Sequence, residues 1–484
     1  MTTLSHVVAR SAALAAGLTM LASGVAEAAH QGVVSKVQTS AAGAPLTMDV
    51  RFTALANATN NNVLFATSGL NTVVTANTEI APGAGCVAIS PTQVRCSNTN
   101  VTRVSALLGD GNDSAQNATA RPAAFAGQVG NDLLTGGGAA DVLQGGDGND
   151  TLTGGGAGDR LLGDLGTDTA SYSATAASIN VTLDGLTNDG AAGEGDNVST
   201  ENVTGGSGSD SLTGSAGANV LAGGAGNDTI RGGAGADQLR GDTGTDTVTY
   251  SGGAANVRIT LDGFSDDGAA GEADNVATTV ENAIGGNGSD VIVGSSAANV
   301  LRGGPGNDTA DGAGGNDTVL GEDDNDTLRG GLGTDALGGG NGNDSLAGDA
   351  GNDTLAGDAG TDTATYAGVN AALTLSIDGA ANDGAVGEGD NVTPTTENLI
   401  SGNGADTITG SAAANVISAG PGTDNVDSGA GNDTVNVRNG DEDRSECGTG
   451  TDVLNADLLP FDTYTGVLIS LFPPLTSCET VNRA

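Results

Sequence analysis

The stretch Gly145-Gly146-Asp147-Gly148-Asn149-Asp150-Thr151-Leu152-Thr153 returns nearly unchanged as Gly223-Gly224-Ala225-Gly226-Asn227-Asp228-Thr229-Ile230-Arg231. Both copies fit the nonapeptide GGxGxDxUx, where U is apolar. Read outward from them, the Asp keeps the ninefold register through Asp132, Asp141, Asp150, Asp159 and Asp168, then Asp210, Asp228, Asp237 and Asp246. It continues through Asp290, Asp308, Asp317, Asp326, Asp335, Asp344, Asp353 and Asp362, and finally Asp406, Asp424 and Asp433. A disordered linker has neither a fixed Asp nor an apolar residue two places after it, so the period indicates a repeat fold.

Each unit offers six turn residues and three that suit a short strand, because Thr, Val, Ile and Leu around U fit a pleated, half-buried surface. Two units, 18 residues, bring the chain back to the same side. Strands then stack about 4.8 Å apart in two parallel sheets whose U side chains meet in a thin core. The expected fold is all-β, a right-handed parallel β-roll or β-solenoid. Such a core accommodates a composition of 83 Gly among 484 residues, 2% aromatics and no Trp, which excludes a conventional aromatic core.

Acidic residues outnumber basic ones 59 to 15, for a formal charge of -44. Nucleic acid and anionic membrane surfaces are repelled by such a chain, and cations are its natural partners. The coil places Asp150 over Asp132 and Asp344 over Asp326. Two carboxylates about 5 Å apart repel by roughly 3 kcal/mol at an effective dielectric near 20. A divalent cation between turns removes that cost and takes Gly carbonyls as further ligands; Ca²⁺ fits, accepting 6 to 8 oxygens in forgiving geometry where Mg²⁺ demands a small octahedron. The Asp residues named above are therefore the candidate metal ligands, and multiple Ca²⁺ ions the expected cofactor.

These tandem GGxGNDTL units resemble the hemolysin-type calcium-binding repeats of the RTX superfamily, over roughly two thirds of the chain. The resemblance implies a parallel β-roll in which the turn Asp and the Gly carbonyls bind Ca²⁺ between consecutive turns. It also implies an exported protein.

Residues 1–29 read as a secretory signal peptide: Arg10, an apolar run from Ala12 to Val25, then Ala26-Glu27-Ala28. The apolar run is shorter than the roughly 20 residues a bilayer crossing needs, and no later segment spans a membrane. The expected location is secreted, extracellular. Family members exported by an uncleaved C-terminal signal differ in this respect. Four cysteines fall as local pairs, Cys86 with Cys96 and Cys447 with Cys478; export suits disulfides worth about 3 kcal/mol each, with four free thiols the alternative.

The expected organisation beyond the signal is an N-terminal β region or cap at 30–126, with alternating stretches at Met48 to Ala54 and Asn62 to Ala66. Repeats occupy 127–172, 205–250, 285–366 and 401–446; insertions occupy 173–204, 251–284 and 367–400; a disulfide-closed cap occupies 447–484. Each insertion follows a tyrosine, Tyr172, Tyr250 or Tyr366, and ends in DNV and a later Glu-Asn. The first reads SINVTLDGLTNDGAAGEGDNV from Ser178, where Ile179, Val181 and Leu183 indicate a longer strand and Asp184, Asp189, Glu194 and Asp196 crowd an acidic glycine loop. That loop is either one more calcium site or a solvated acidic surface; it lacks EF-hand spacing. Asn219, Asn299 and Asn415 replace the turn Asp, as weaker calcium sites or as turns that only shape the coil. Asp324 stands where Gly is expected, to strain the turn or add a ligand.

Histidine bears on catalysis. The chain has two, His6 within the signal and His30 at its end, so HExxH zinc chemistry and Ser-His-Asp or Cys-His arrangements are excluded. Lys36 is the sole lysine and no GxxxxGK[ST] loop exists. Carboxylate pairs abound, but the lattice explains them and no aromatic sugar platform stands nearby. The expected function is a non-enzymatic secreted calcium-binding protein whose roll folds on binding many ions. The second reading is a calcium-stiffened cell-surface adhesin or matrix protein whose partner the sequence does not identify.

Overall fold

The computed structural model describes residues 32–39, 47–55, 58, 60–457, 463–464 and 480–483. The signal reading at 1–29, and Cys478 with most of the C-terminal cap, lie outside the described residues. Every regular element among the described residues is a β-strand, and no helix there is long and apolar enough to cross a membrane. The chain forms two compact units, residues 1–206 and 207–484.

The first unit begins with antiparallel pairs, Gly32–Gln38 with Met48–Ala54 and Asn62–Ser68 with Asn71–Ala76. A hairpin of Cys86–Ser90 and Gln93–Ser97 carries the expected Cys86–Cys96 disulfide. Parallel stacking starts ahead of residue 127: Val101–Asp110 pairs with Ala123–Val129, and Ser114–Ala118 with Leu133–Thr135. From there the register advances by 18 residues, Leu134 against Leu152 in one sheet and Leu143 against Leu161 in the other. Those four Leu side chains are fully buried. At about 1.5 to 3 kcal/mol each, such a file of U residues supplies a core without aromatics.

Strand length departs from three residues in one of the two sheets. Val142–Asp147 and Arg160–Leu165 run on into the glycine turn, Gly146 pairing with Asp164, because the turn glycines extend the parallel ladder. Gly146 and Gly148 take φ of 121° and 134°, the left-handed side where a Cβ is costly. In the second unit this lengthening reaches both sheets, with Thr327–Gly333, Ala336–Gly342, Ser345–Gly351 and Thr354–Gly360 of seven residues each.

Each insertion ends one column of strands, and in the second unit each also begins another. There, Asn275–Val276 closes the column of Gln238–Thr243, while Val257–Thr260 opens the one continued by Val291–Val293. Likewise Asn391–Val392 closes the column of Thr354–Gly360 and Leu373–Ser376 opens the next. In the first unit Asp196–Ser199 closes the column of Arg160–Leu165. The expected long strand is short, Ile179–Thr182, and folds back antiparallel on Thr187–Ala191; Ile179 and Val181 are buried as the alternation requires.

Candidate metal centre

The turn aspartates come together as ladders, not as a bare row of charges. Along a ladder Oδ1 accepts the backbone N–H of the Asp one coil earlier: Asp132 donates to Asp150 at 2.7 Å, Asp150 to Asp168 at 2.8 Å, and Asp308 to Asp326 and Asp326 to Asp344 at 2.8 Å. Asp317 donates to Asp335 and Asp335 to Asp353 in the same way. The neighbouring Asn closes the rung in the opposite sense, the Asn149 N–H donating to Asn131 Oδ1 at 2.9 Å. That reciprocal pair is the local reason for the Asn-Asp dipeptide, since each side chain caps a backbone donor of an adjacent turn.

The other carboxylate oxygen has no such partner. In sixteen of the twenty candidate residues Oδ2 is buried without a hydrogen-bond donor: Asp132, Asp150, Asp159, Asp168, Asp228, Asp237, Asp246, Asp308, Asp317, Asp326, Asp335, Asp344, Asp353, Asp362, Asp424 and Asp433. In several rungs a backbone carbonyl stands beside it. Asp335 Oδ2 and the Gly348 carbonyl oxygen converge over Gly330, 2.5 and 2.8 Å from where a Cβ would stand, and Asp362 Oδ2 and the Thr395 carbonyl do the same at Gly357, 2.5 and 2.6 Å. A buried acceptor with no donor costs about 1–3 kcal/mol, more if charged, so each rung wants a proton or a cation. Burial pushes Asp159, Asp308, Asp326, Asp353 and Asp424 up to about 7, with neighbouring carboxylates adding to the rise. Burial likewise raises Asp132, Asp150 and Asp168 to about 6.

An all-oxygen set of carboxylate and backbone carbonyls suits a hard cation of flexible coordination, which is Ca²⁺ chemistry. Among the described residues no three His, Cys, Asp or Glu side chains gather at one point. At Asp317, Asp326, Asp335 and Asp344 the group beside Oδ2 is a backbone carbonyl and not a further carboxylate.

The remaining four candidates differ. Asp141 accepts from the Ala123 and Gly137 N–H groups, Asp290 from Val257 at 2.8 Å and Gly286 at 2.6 Å, and Asp406 from the Leu373 N–H and the Ser401 hydroxyl. Their two oxygens are both supplied by protein. Asp210 donates its N–H to Asp228 Oδ1 at 2.7 Å. The asparagine turns also complete themselves: Asn299 accepts the Ser295 N–H and donates its amide to the Glu281 carbonyl at 2.6 Å, and Asn415 repeats this with Ser411 and Glu397. Asn219 accepts from Ser215 and donates its N–H to Asp237. Asp324 takes φ of 76°, so it strains the turn by about 1–2 kcal/mol.

Several rung residues escape a strict ninefold reading. Asp113 donates its N–H to Asp132 Oδ1, Asp424 to Asp443 and Asp433 to Asp452, all across 19 residues. The signal for Asp113 was present as Gly109-Asp110-Gly111-Asn112-Asp113. At the insertions Asp196, Asp274 and Asp390 receive the N–H of Asp159, Asp237 and Asp353 across 37 residues. Glu201, Glu281 and Glu397 receive those of Asp168, Asp246 and Asp362 through Oε2, each at 2.8 Å. No spacing rule reaches these.

The insertion acids divide: Asp184 is exposed to solvent, whereas Asp189, Asp267 and Asp383 are buried and bound. Asp189 accepts the Thr182 and Val198 N–H groups, Asp267 those of Thr260 and Val276, and Asp383 those of Ser376 and Val392. Each hairpin is pinned by a buried carboxylate whose two oxygens both have backbone donors.

Comparison with known proteins agrees with this geometry. No curated protein matches the chain. The family model of the RTX calcium-binding nonapeptide repeat (4 copies) matches nine windows, 125–149, 135–170, 199–230, 213–248, 223–255, 284–319, 305–337, 337–364 and 400–435. They merge into four stretches and leave out the greater part of each insertion. Through these stretches the chain carries RTX calcium-binding nonapeptide repeats.

Proposed function

We propose that this is a secreted, non-enzymatic protein whose β-roll is completed by many Ca²⁺ ions, one for each donorless Oδ2 and its facing carbonyl. The observation that carries the reading is the set of sixteen buried carboxylate oxygens without a donor. Sixteen such atoms left charged and unpaired would exceed the 5–15 kcal/mol by which a folded domain is ordinarily stable. Binding is therefore folding: each occupied site adds RT ln(1 + [L]/Kd), about 2.7 kcal/mol at a hundredfold excess. Export into a calcium-rich, oxidising medium is supported by the N-terminal signal pattern and the Cys86–Cys96 disulfide. A non-catalytic role is supported by the two histidines both lying at or before residue 30.

The test is a titration of the full mature chain with Ca²⁺, and in parallel Mg²⁺, followed by far-ultraviolet circular dichroism. Cooperative gain of β signal with Ca²⁺ at concentrations where Mg²⁺ has no effect is expected. A metal-free chain at neutral pH that already carries the full signal defeats the proposal.

A further inference from the structure

The last rung of each ended column differs from the sixteen donorless rungs in one atom. Asp196 Oδ1 accepts the Asp159 N–H as in any rung, but its Oδ2 accepts the Tyr172 hydroxyl at 2.8 Å. Asp274 receives Tyr250 at 2.9 Å, and Asp390 receives Tyr366 at 3.1 Å. The separation is 24 residues each time. The three phenols are buried, and burial together with the adjacent carboxylate raises their pKa, so each remains a donor at any physiological pH.

The rest of the junction is equally complete. Glu194, Glu272 and Glu388 accept the Ala191, Ala269 and Ala385 N–H groups at 2.8 Å, and Asp189, Asp267 and Asp383 are bound at both oxygens. Gly190 and Gly268 take positive φ directly beside this cluster; a Cβ there would stand 2.6 Å from Asp196 or Asp274 Oδ2. The turn is thus closed by protein atoms where the nonapeptide turn lacks a donor.

We propose that Tyr172, Tyr250 and Tyr366 take the place of a cation in these three rungs, so that the column junctions are complete without metal and stay ordered in the calcium-free chain. This rests on the reading that calcium completes the other rungs. The junctions then serve as permanent nuclei from which calcium winds the nonapeptide coils. A buried hydroxyl-to-carboxylate bond is among the stronger neutral-to-charged bonds, and a nucleus spares the loop-closure entropy of bringing distant strands together.

The test is hydrogen exchange read by mass spectrometry on the full chain in chelator and in calcium, for the wild type, the single variant Tyr250→Phe and the triple variant with Tyr172→Phe and Tyr366→Phe. In chelator, peptides from 172–198, 250–276 and 366–392 are expected to exchange at least about tenfold slower than nonapeptide peptides from 133–168 and 318–361. Tyr250→Phe should abolish the slow exchange at 250–276 while the two unaltered junctions in the same molecule retain it. Junctions that exchange as fast as the coils in wild type overturn the proposal, as does a Tyr250→Phe chain whose 250–276 segment stays slow. A failure of calcium to slow the nonapeptide peptides would count against the calcium reading instead, and leaves the junction comparison to stand on its own.

Discussion

Asp344 holds the turn of Asp326: its Oδ1 accepts the Asp326 N–H at 2.8 Å across 18 residues, while its Oδ2 is buried with no donor. One side chain thus does two separable tasks, bracing the backbone and carrying charge.

Substitution at Asp344 should separate them. Asp344→Asn keeps an acceptor for the Asp326 N–H and removes the charge, so the expected outcome is weaker calcium binding with the metal-free chain no less stable. Asp344→Ala removes both and should cost about 1–3 kcal/mol in calcium as well. Paired thermal melts in calcium and in chelator measure the difference; equal losses for the two variants in calcium would contradict the division.

The natural asparagine turns invite the reverse change. Asn299 donates its amide to the Glu281 carbonyl, and Asn299→Asp turns that bond into two facing acceptors. The metal-free chain should lose about 1–3 kcal/mol, and equilibrium dialysis in calcium should count one more ion per chain.

Glycine at the cradle is a steric requirement. Gly330→Ala sets a methyl 2.5 Å from Asp335 Oδ2 and 2.8 Å from the Gly348 carbonyl, whereas Gly138→Ala meets nothing within 4 Å. The first should lower stability in saturating calcium by about 1–3 kcal/mol, and the second should stay within about 0.5 kcal/mol. Denaturant midpoints in calcium check both.

Acid should partly replace calcium. The Asp132 carboxyl sits near 6 and those of Asp159, Asp308, Asp326 and Asp353 near 7 in the metal-free fold, raised chiefly by burial, against about 4 in an unfolded chain. A raised folded value means the fold holds more protons than the unfolded chain, so their contribution is full below about pH 4 and is lost as pH rises through 6 to 7. Metal-free chain should gain β signal on going from pH 8 to pH 5, and apparent calcium affinity should fall over the same interval as protons compete. A metal-free β signal that grows with pH would refute the assignment.

Much of this was legible in the residues. The ninefold Asp and its apolar partner two places on specify two stacked sheets, because local propensity and burial agree at every coil, as Leu134 under Leu152 illustrates. The long strands in the glycine turns were not legible. A Gly-rich segment carries no pattern that separates turn from ladder, and Gly146 pairs only because the adjacent coil offers its backbone. The insertions misled in a different way: their acids read as a solvated or metal-binding loop, yet Asp189 and Asp196 are buried.

By itself the sequence determined the period, the core file, the positions of the ladder carboxylates and the demand for cations that their charge creates. Tertiary structure alone decided which oxygen of each carboxylate is braced and which lacks a donor. It also decided that a tyrosine hydroxyl closes Asp196, Asp274 and Asp390. The physical reason is that periodicity encodes what recurs at equal spacing, whereas donor and acceptor matching depends on which backbone group a coil 18, 19 or 37 residues away presents.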